Sequence, residues 1–399
     1  MGYDFSTIMD RRGMDAIAVD AAPCLGKVRD GFDVIPMWVA DMSFPTVPSI
    51  PRAIISRAEH PAYGYFSPRQ EYYDAIIRWQ RERNGVAGLE PKHIGYANGV
   101  LGGVVSAANV LCSRGDRILV HSPTYIGFTH ALGNNGYRLV HSPLVQDDKG
   151  IWRMDYVDME RKLREENIHT AILCSPHNPC GRVWERWELE KAMALFQKLD
   201  VYVISDEIWS DLTLEGFRHI PTQSVSADAR QRTVAMYAPS KTFNLAGLVG
   251  SYSIVYNGWL RDRMEKEASL SHYNSMNVLS MHALIGGFSP EGAVWLDELR
   301  QTLTANVDFA VGFIRDHFPG VTVSRPQGTY MLFPDCTGWC AEHGKTIDDV
   351  LAACYAVGVA VQDGRQFHGR CHLRMNLALP LSRVEEAFRR MDRYVFNAE

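Results

Sequence analysis

The sequence of 399 residues contains no run of apolar residues long enough to cross a membrane. Its beginning, MGYDFSTIMDRRGMD, carries charges early and lacks the apolar centre of a signal peptide. Basic residues are scattered along a chain of net charge −5, which argues against binding to a nucleic-acid backbone. We therefore expect a cytoplasmic protein whose partners include neither membranes nor nucleic acids.

The eight cysteines show neither disulfide-like nor zinc-like spacing. Cys336 and Cys340 form a C-x3-C pair without a second pair of ligands, so we expect reduced, buried thiols and no metal site. A G-x-G-x-x-G fingerprint and a complete Walker G-x-x-x-x-G-K-[ST] motif are also missing. The sequence therefore predicts neither a dinucleotide site nor an ATP site.

Length and composition indicate a globular protein of two domains, with 46% hydrophobic and 22% charged residues. Segment 184–199 has apolar residues at helical spacing. Five other segments are apolar along most of their length, which is typical of strands covered on both faces in parallel sheets: 116–123, 170–179, 200–207, 232–240 and 251–257. Strands that alternate with helices predict an α/β domain.

The pattern changes near residue 286, where a long helical stretch begins. The segments beyond it predict two strands (320–335), a helix (346–357), a short strand, a loop, another strand (371–377) and a last helix. We expect a large domain over 46–285. A smaller α+β domain would combine 1–45 with 286–399.

Functional side chains follow four of the predicted strands. They are Tyr125, Asn178, Asp206 and the pair Ser240–Lys241. Ligands of open α/β sheets bind at the carboxyl ends of the strands, so these side chains are expected at one edge. Each is weak evidence alone, since an aspartate that ends a strand is usually a cap or turn former. Together they match what pyridoxal 5′-phosphate (PLP) requires.

PLP requires a lysine that forms an imine with its aldehyde and a carboxylate that keeps its pyridine nitrogen protonated. An aromatic ring covers the cofactor, and an amide hydrogen-bonds the ring oxygen. The phosphate needs a separate cradle, which the glycine-containing turn and helix of segment 98–111, with Val100 and Leu101, would provide. Ser240 is a natural second phosphate ligand. The sequence therefore predicts a PLP site.

Several motifs, spread over nearly the whole chain, resemble those of fold-type I PLP enzymes, and closely those of the MalY/PatB group of cystathionine β-lyases. They are VIPMWVADMSFPTVPSI (34–50), YGYFSP (63–68), SPTYIGF (122–128), SPHNPCGRVW (175–184), ISDEIWSDL (204–212), SKTFNLAGL (240–248) and HLRMNLALP (372–380). MWVADMSFP discriminates best, since ordinary aminotransferases of this fold lack it. The resemblance implies a large domain with a mainly parallel, seven-stranded sheet.

The resemblance also implies a role for each matching residue around the cofactor. Lys241 forms the imine and moves the Cα proton of the substrate. Asp206 pairs with the pyridinium nitrogen, and Asn178 bonds the ring oxygen. Tyr125 stacks on the ring. The lysine, the aspartate and the tyrosine are thus the implied catalytic residues.

Further residues are implied to bind the substrate or the neighbouring subunit. Arg374 holds the substrate α-carboxylate with its two-pronged guanidinium, next to Asn178 and the backbone of Ala40. Tyr65 reaches into the phosphate site of the other subunit, which makes a homodimer part of the expectation. Tyr63 is the alternative if the placement of Tyr65 is wrong.

Two positions depart from the relatives. Many aminotransferases carry a phosphate-binding arginine eight residues after the lysine, where this sequence has Val249, in agreement with the lyase group. Trp209 stands where relatives usually have tyrosine or histidine, and its indole has one donor and no acceptor. Trp209 is either a packing variant beside the cofactor or a sign of a different reaction.

The expected activity is the β-elimination of cystathionine or another cysteine S-conjugate to pyruvate, ammonia and a thiol. An aminotransferase on the same scaffold, or another PLP reaction of specialised metabolism, remains an alternative, since Lys241 and Asp206 serve these reactions too. A regulatory binding protein is a third possibility. Selectivity is expected near the loop with Arg365, His368 and Arg370.

Overall fold

Apolar segments of the sequence form the strands, and amphipathic segments between them form the helices. The structure is a computed structural model that describes residues 2–271 and 274–397. The strands are β1 (Ile35–Pro36), β2 (Ile94–Asn98), β3 (Arg117–Ser122), β4 (Arg138–Pro143), β5 (Val145–Gln146), β6 (Trp152–Arg153), β7 (Thr170–Cys174), β8 (Tyr202–Asp206), β9 (Thr233–Tyr237), β10 (Gly250–Ile254), β11 (Met331–Leu332), β12 (Val359–Ala360), β13 (Gln362–Asp363) and β14 (Leu373–Asn376).

The helices lie between these strands and before and after them. They are α1 (Ile17–Asp20), α2 (Ser49–Ala58), α3 (Gln70–Asn84), α4 (Gly99–Leu111), α5 (Ile126–Asn134), α6 (Tyr156–Glu165), α7 (Arg186–Lys198), α8 (Ala227–Arg232), α9 (Pro239–Thr242), α10 (Gly258–Ser271), α11 (Val278–Gly287), α12 (Pro290–His317), α13 (Thr337–His343), α14 (Ile347–Ala356) and α15 (Leu381–Met391). In the part of the chain that the structure describes, none of these helices combines the length and apolar character needed to span a bilayer.

The largest sheet has seven strands in the order β2-β10-β9-β8-β7-β3-β4. Strands β9, β8, β7, β3 and β4 run parallel to one another. Residues of α6 and α7 pack on one face of the sheet, and residues of α4 and α5 pack on the other. The predicted fold class, an α/β domain with a mainly parallel seven-stranded sheet, is confirmed.

Strand β10 differs in direction from what its sequence suggests. Its segment is as apolar as those of the parallel strands, yet it runs antiparallel to both β2 and β9. Residues 251–254 are buried. An apolar segment indicates that both faces of the strand are covered. It does not indicate whether the strand runs parallel or antiparallel to its neighbours.

Helix α4 begins directly after β2, at Gly99. This glycine has a φ of +71°, a left-handed conformation that glycine adopts without steric cost. A Cβ atom at Gly103 would lie 2.7 Å from the Sδ atom of Met236 in β9. The missing side chain therefore lets α4 lie close to the sheet.

The N-terminal segment is tied to the C-terminal part of the chain. Strand β1 pairs in parallel with β12, while β11, β14 and β13 form a separate antiparallel sheet. Helix α12 supports this sheet through Asn306, whose amide donates to the carbonyls of Leu377 and Leu379 at 2.8 Å each. The exact domain limits at residues 45 and 285 stay a prediction.

One predicted strand is wrong. Segment 320–335 was expected to give two strands, but only β11 forms, and the earlier half contributes a single bridge between Thr322 and Asp335. Pro326 lies between the two halves and has no backbone N–H to donate. The backbone N–H groups of Gln327 and Gly328, which follow this proline, both donate to the carbonyl of Gly181 and not to a neighbouring strand.

Two helical glycines give a matched test of the packing. A Cβ at Gly286 in α11 would lie 2.7 Å from the carbonyl oxygen of Ser49, whereas a Cβ at Gly312 in α12 would meet no atom within 4 Å. We expect Gly286→Ala to lower the free energy of unfolding by about 1 to 3 kcal/mol, because backbone must move. Gly312→Ala should raise it by about 0.5 to 1 kcal/mol. Urea unfolding checks both values, and a neutral Gly286→Ala would contradict the close contact.

Candidate active site

A cavity of about 340 Å³ lies where the carboxyl ends of β7 and β8 meet the segment after β9. The structure brings all predicted site residues except Tyr65 together in its lining: Ala40, Val100, Leu101, Tyr125, Asn178, Asp206, Trp209, Ser240, Lys241 and Arg374. These residues come from both ends and the middle of the sequence. The sheet edge is therefore the place where they converge, as expected for an open α/β fold.

Lys241 lies in the short helix α9, which starts with Pro239 at its first position. Its amine donates a hydrogen bond of 2.8 Å to the carbonyl oxygen of Ala40. The pKa of Lys241 is lowered to about 8, first by burial and second by the positive charge of Arg374. A substantial fraction of this amine is consequently neutral near physiological pH.

Asp206 ends β8 and is buried. Its Oδ1 accepts a hydrogen bond of 3.1 Å from the backbone N–H of Ile208. Burial raises the pKa of Asp206 to about 7, and the negative charge of Glu207 acts in the same direction. A cation bound next to this carboxylate would return it to the ionised form, so the site favours a positively charged partner.

Tyr125 is the residue before α5, and its ring faces the cavity. The ring meets Phe128 edge-on, with 5.4 Å between the centroids. A Cβ at Gly127 would lie 2.3 Å from the tyrosine ring, so only glycine leaves room for this orientation. The motif SPTYIGF thus holds an aromatic face at the cavity wall.

Arg374 lies on β14 with its guanidinium buried. One Nη donates to the carbonyl oxygen of Trp38 at 3.0 Å, and the other lies 3.4 Å from Oδ1 of Asn178. The guanidinium carbon is 4.2 Å from the ring centroid of Phe367. Burial lowers the pKa of Arg374 to about 10, so the side chain still carries its charge at neutral pH. A carboxylate in the cavity would find a fixed cation here.

The segment from Trp38 to Met42 closes one side of the cavity. The amide of Asn376 donates to the carbonyls of Val39 at 2.9 Å and Asp41 at 2.7 Å. Asn244 makes two hydrogen bonds with the backbone of Met42, at 3.0 and 2.8 Å. The sequence prediction missed both asparagines, although each stands inside a motif that was recognised, three residues after Lys241 and two after Arg374.

Trp209 both lines the cavity and packs in the core. Its ring meets Tyr330 edge-on at 4.8 Å, and the amine of Lys241 lies 5.8 Å from its ring centroid. Tyr330 is fully buried, and its hydroxyl has no hydrogen-bond partner among the described residues. Trp209 thus forms part of the cavity wall and packs against the core at the same time.

The residues expected to set selectivity do not line the cavity. Arg365 is bound to Asp363 and Asp348, and His368 packs at a tilt against His141, with 4.2 Å between the ring centroids. Arg370 is also absent from the lining. Gln362, just before that loop, does line it, as the cross-strand neighbour of Arg374 in the β13–β14 pair. Sequence reasoning missed Gln362 because only the strand register places it there.

Tyr65 does not line this cavity in a single subunit. Its side chain is fully exposed, whereas the hydroxyl of Tyr63 donates to the carbonyl of Ala58 at 2.9 Å. The expected role of Tyr65 depends on a second subunit, so it stays a prediction.

Comparison with known proteins gives the class of this chain. It matches the aminotransferase class I and II family over residues 33–391 and belongs to that family.

The chain is similar to PatB, a cystathionine β-lyase of Bacillus subtilis (strain 168), with 31% identity over 390 residues, 97% of this chain and 98% of PatB. Protein MalY of Escherichia coli (strain K12) is 30% identical over 394 residues, 96% of each chain. The solved PLP-bound C–S lyase from Staphylococcus hominis has 29% identity and a TM-score of 0.89, with 98% of each chain covered. The resemblance to the MalY/PatB group is confirmed.

The lowered pKa of Lys241 can be measured by its reactivity. In cofactor-free protein, labelling of Lys241 by trinitrobenzenesulfonate, followed by peptide mass spectrometry, should rise with a midpoint near pH 8. Only the neutral amine reacts, and burial together with Arg374 disfavours the charged form. Arg374→Met should move the midpoint upward. The exposed Arg365→Met is the matched control and should leave it unchanged; a wild-type midpoint near 10.5 would contradict the assignment.

Proposed function

We propose that this protein is a PLP-dependent carbon–sulfur β-lyase that acts on cystathionine or another cysteine S-conjugate. The observation that carries the proposal is the convergence of Lys241, Asp206 and Arg374 on one cavity. An amine of lowered pKa, a buried carboxylate and a fixed guanidinium are the three groups that the reaction needs. The full-length similarity to PatB, a cystathionine β-lyase, supports the same substrate class.

The groups that line the cavity fit PLP in charge. Lys241 supplies the amine for the aldehyde, and the buried carboxylate of Asp206 favours a cation such as the pyridinium nitrogen. At another part of the wall, Val100 and Leu101 present the first turn of α4 next to Ser240. Free N–H groups and the dipole at a helix N-terminus favour an anion, so we place the cofactor phosphate there.

In this proposal each residue of the cavity has a separate role in the elimination reaction. When bound, PLP supplies an electron sink for the bond to the substrate Cα. Arg374 binds the α-carboxylate and fixes the orientation of the substrate, with Asn178 beside it. Lys241 then removes the Cα proton, which its lowered pKa permits near neutral pH. Asp206 would hold the pyridinium nitrogen and stay ionised beside it, and Tyr125 would lie against the ring of the cofactor.

The overall reaction cleaves one carbon–sulfur bond and consumes one water. The thiolate leaves Cβ and takes up a proton, so that a cysteine S-conjugate and water give a thiol, pyruvate and ammonium. No oxidant or reductant is needed. Trp38, Trp209 and Gln362 line the part of the cavity that remains for the leaving group, and they are our candidates for setting its size.

An aminotransferase reaction is the second candidate, and membership of the aminotransferase class I and II family favours it. Lys241 and Asp206 would serve it equally well. Val249 weighs against it, because it lines the cavity where many aminotransferases have a phosphate-binding arginine. We therefore rank the lyase first. A cytoplasmic location remains a prediction from the sequence.

A product assay separates the two reactions. Purified holoenzyme receives L-cystathionine without any oxo-acid, and pyruvate, ammonia and thiol are followed over many turnovers. We expect continuous release of all three. A single turnover that resumes only after an oxo-acid is added would establish the aminotransferase instead.

Arg374→Met should lower kcat/KM on the order of a hundredfold, because two charged hydrogen bonds to the substrate are lost. Arg365→Met should have no effect.

We infer that the protein works as a homodimer to which Tyr65 contributes across the interface. The exposed position of Tyr65 on a loop outside its own cavity supports this inference. Tyr65→Ala and Lys241→Ala should each inactivate the enzyme. Unfolded together at equal amounts and refolded, they should regain about a quarter of wild-type activity, since half of the dimers are mixed and hold one intact site. No recovery despite mixed dimers would show that Tyr65 does not act in the other subunit.

A further inference from the structure

A second cavity, of about 500 Å³, shares no lining residue with the active-site cavity. We call it the arginine cavity, because its wall includes Arg186, Arg218 and Arg230. Among the described residues, no aspartate, glutamate or lysine lines it. Its volume is in the range of about 300 to 1,000 Å³ that is usual for small-molecule sites.

Two of the three arginines have no anionic partner in the part of the chain that the structure describes. Arg218 and Arg230 form no ion pair in the described ranges, and Arg186 lies 3.7 Å from Glu190 at the edge. The guanidinium of Arg230 is held above the ring of Tyr256, 5.0 Å from its centroid. A concave wall with several uncompensated positive charges concentrates field lines and attracts an anion.

His219 is a buried side chain in the wall of the arginine cavity. It is 4% exposed, and its Nε2 lies 2.7 Å from Oε2 of Glu207. Its Nδ1 has no partner in the described chain, but this atom is closed off from the cavity, so a ligand there does not contact it directly. A bound anion therefore acts on His219 through its charge, while the arginines of the wall provide the direct contacts.

We propose that the arginine cavity binds a small multivalent anion that carries at least two phosphate or carboxylate groups. A single negative charge would leave most of the arginine charge uncompensated, and a cation or neutral molecule would gain nothing from this wall. The site is distinct from the PLP cavity, and the proposal does not depend on which reaction the enzyme catalyses.

The arginine cavity is connected to the active site through Glu207. Its lining residues His219 and Tyr237 both hydrogen-bond Oε2 of Glu207, at 2.7 and 2.5 Å. Glu207 directly follows Asp206 in the chain, and its charge acts on that carboxylate. The negative charge of a bound anion acts on His219 and, through the hydrogen bond between them, on Glu207. Binding in the arginine cavity therefore changes the electrostatic surroundings of Asp206.

Calorimetry on the PLP-loaded enzyme tests the site, because the cofactor then fills the phosphate position of the active site. Pyrophosphate and citrate are the probes. We expect one saturable site per subunit, with affinity lowered about tenfold or more in Arg218→Gln/Arg230→Gln. Both arginines are exposed and outside the core, so this variant should fold. The control Arg161→Gln/Arg164→Gln removes the same charge from α6 and should bind as wild type.

Each outcome decides a part of the proposal. Absence of saturable binding, or equal weakening in both double variants, would overturn the site and leave a general charge effect. Binding of pyrophosphate alone identifies a phosphate ester, binding of citrate alone a polycarboxylate, and binding of both a site selective only for charge. Whichever of the two probes binds should also shift the pH midpoint at which the visible absorption of PLP changes. Tight binding without that shift would overturn the connection to Asp206.

Discussion

The buried guanidinium of Arg374 is the group on which the rest of the active site depends. It joins three distant parts of the chain, since it lies on β14 and contacts the carbonyl of Trp38 and the amide of Asn178. A buried cation is tolerated only where acceptors and an aromatic face surround it, and Phe367 supplies the face. These same contacts draw the N-terminal segment over the cavity.

The cavity holds ionisable groups whose charged forms are disfavoured by burial in the protein alone. Burial lowers the pKa of Lys241 and raises the pKa of Asp206, and the charge of Arg374 lowers that of Lys241 further. Each of these shifts records a cost of holding the group in a low-dielectric site, and such costs are common where function demands them. As a direct result, the pKa of the Lys241 amine is lowered to about 8.

The sequence predicted the polar groups at the strand ends because that inference needs only the order of strands and the rule for parallel sheets. Lys241, Asp206, Asn178 and Tyr125 all converge as expected. Gln362, by contrast, reaches the cavity through the register of two short strands, which no local pattern specifies. Asn244 and Asn376 act on the backbone of a segment more than two hundred residues away. Their function exists only after the N-terminal segment has docked.

Two adjacent carboxylates, Asp206 and Glu207, serve two different cavities. Asp206 faces the PLP cavity, whereas Glu207 is directed to His219 and Tyr237 at the arginine cavity. Successive side chains of an extended segment point to opposite faces, so neighbouring residues can serve two different sites. Burial alone would raise the pKa of Glu207. The electrostatic interaction with His219 and the hydrogen bonds from His219, Tyr237 and the backbone of Thr222 lower it instead. The negative charge of Glu207 is thus stabilised by the imidazole at the arginine cavity. That charge in turn raises the pKa of the neighbouring Asp206.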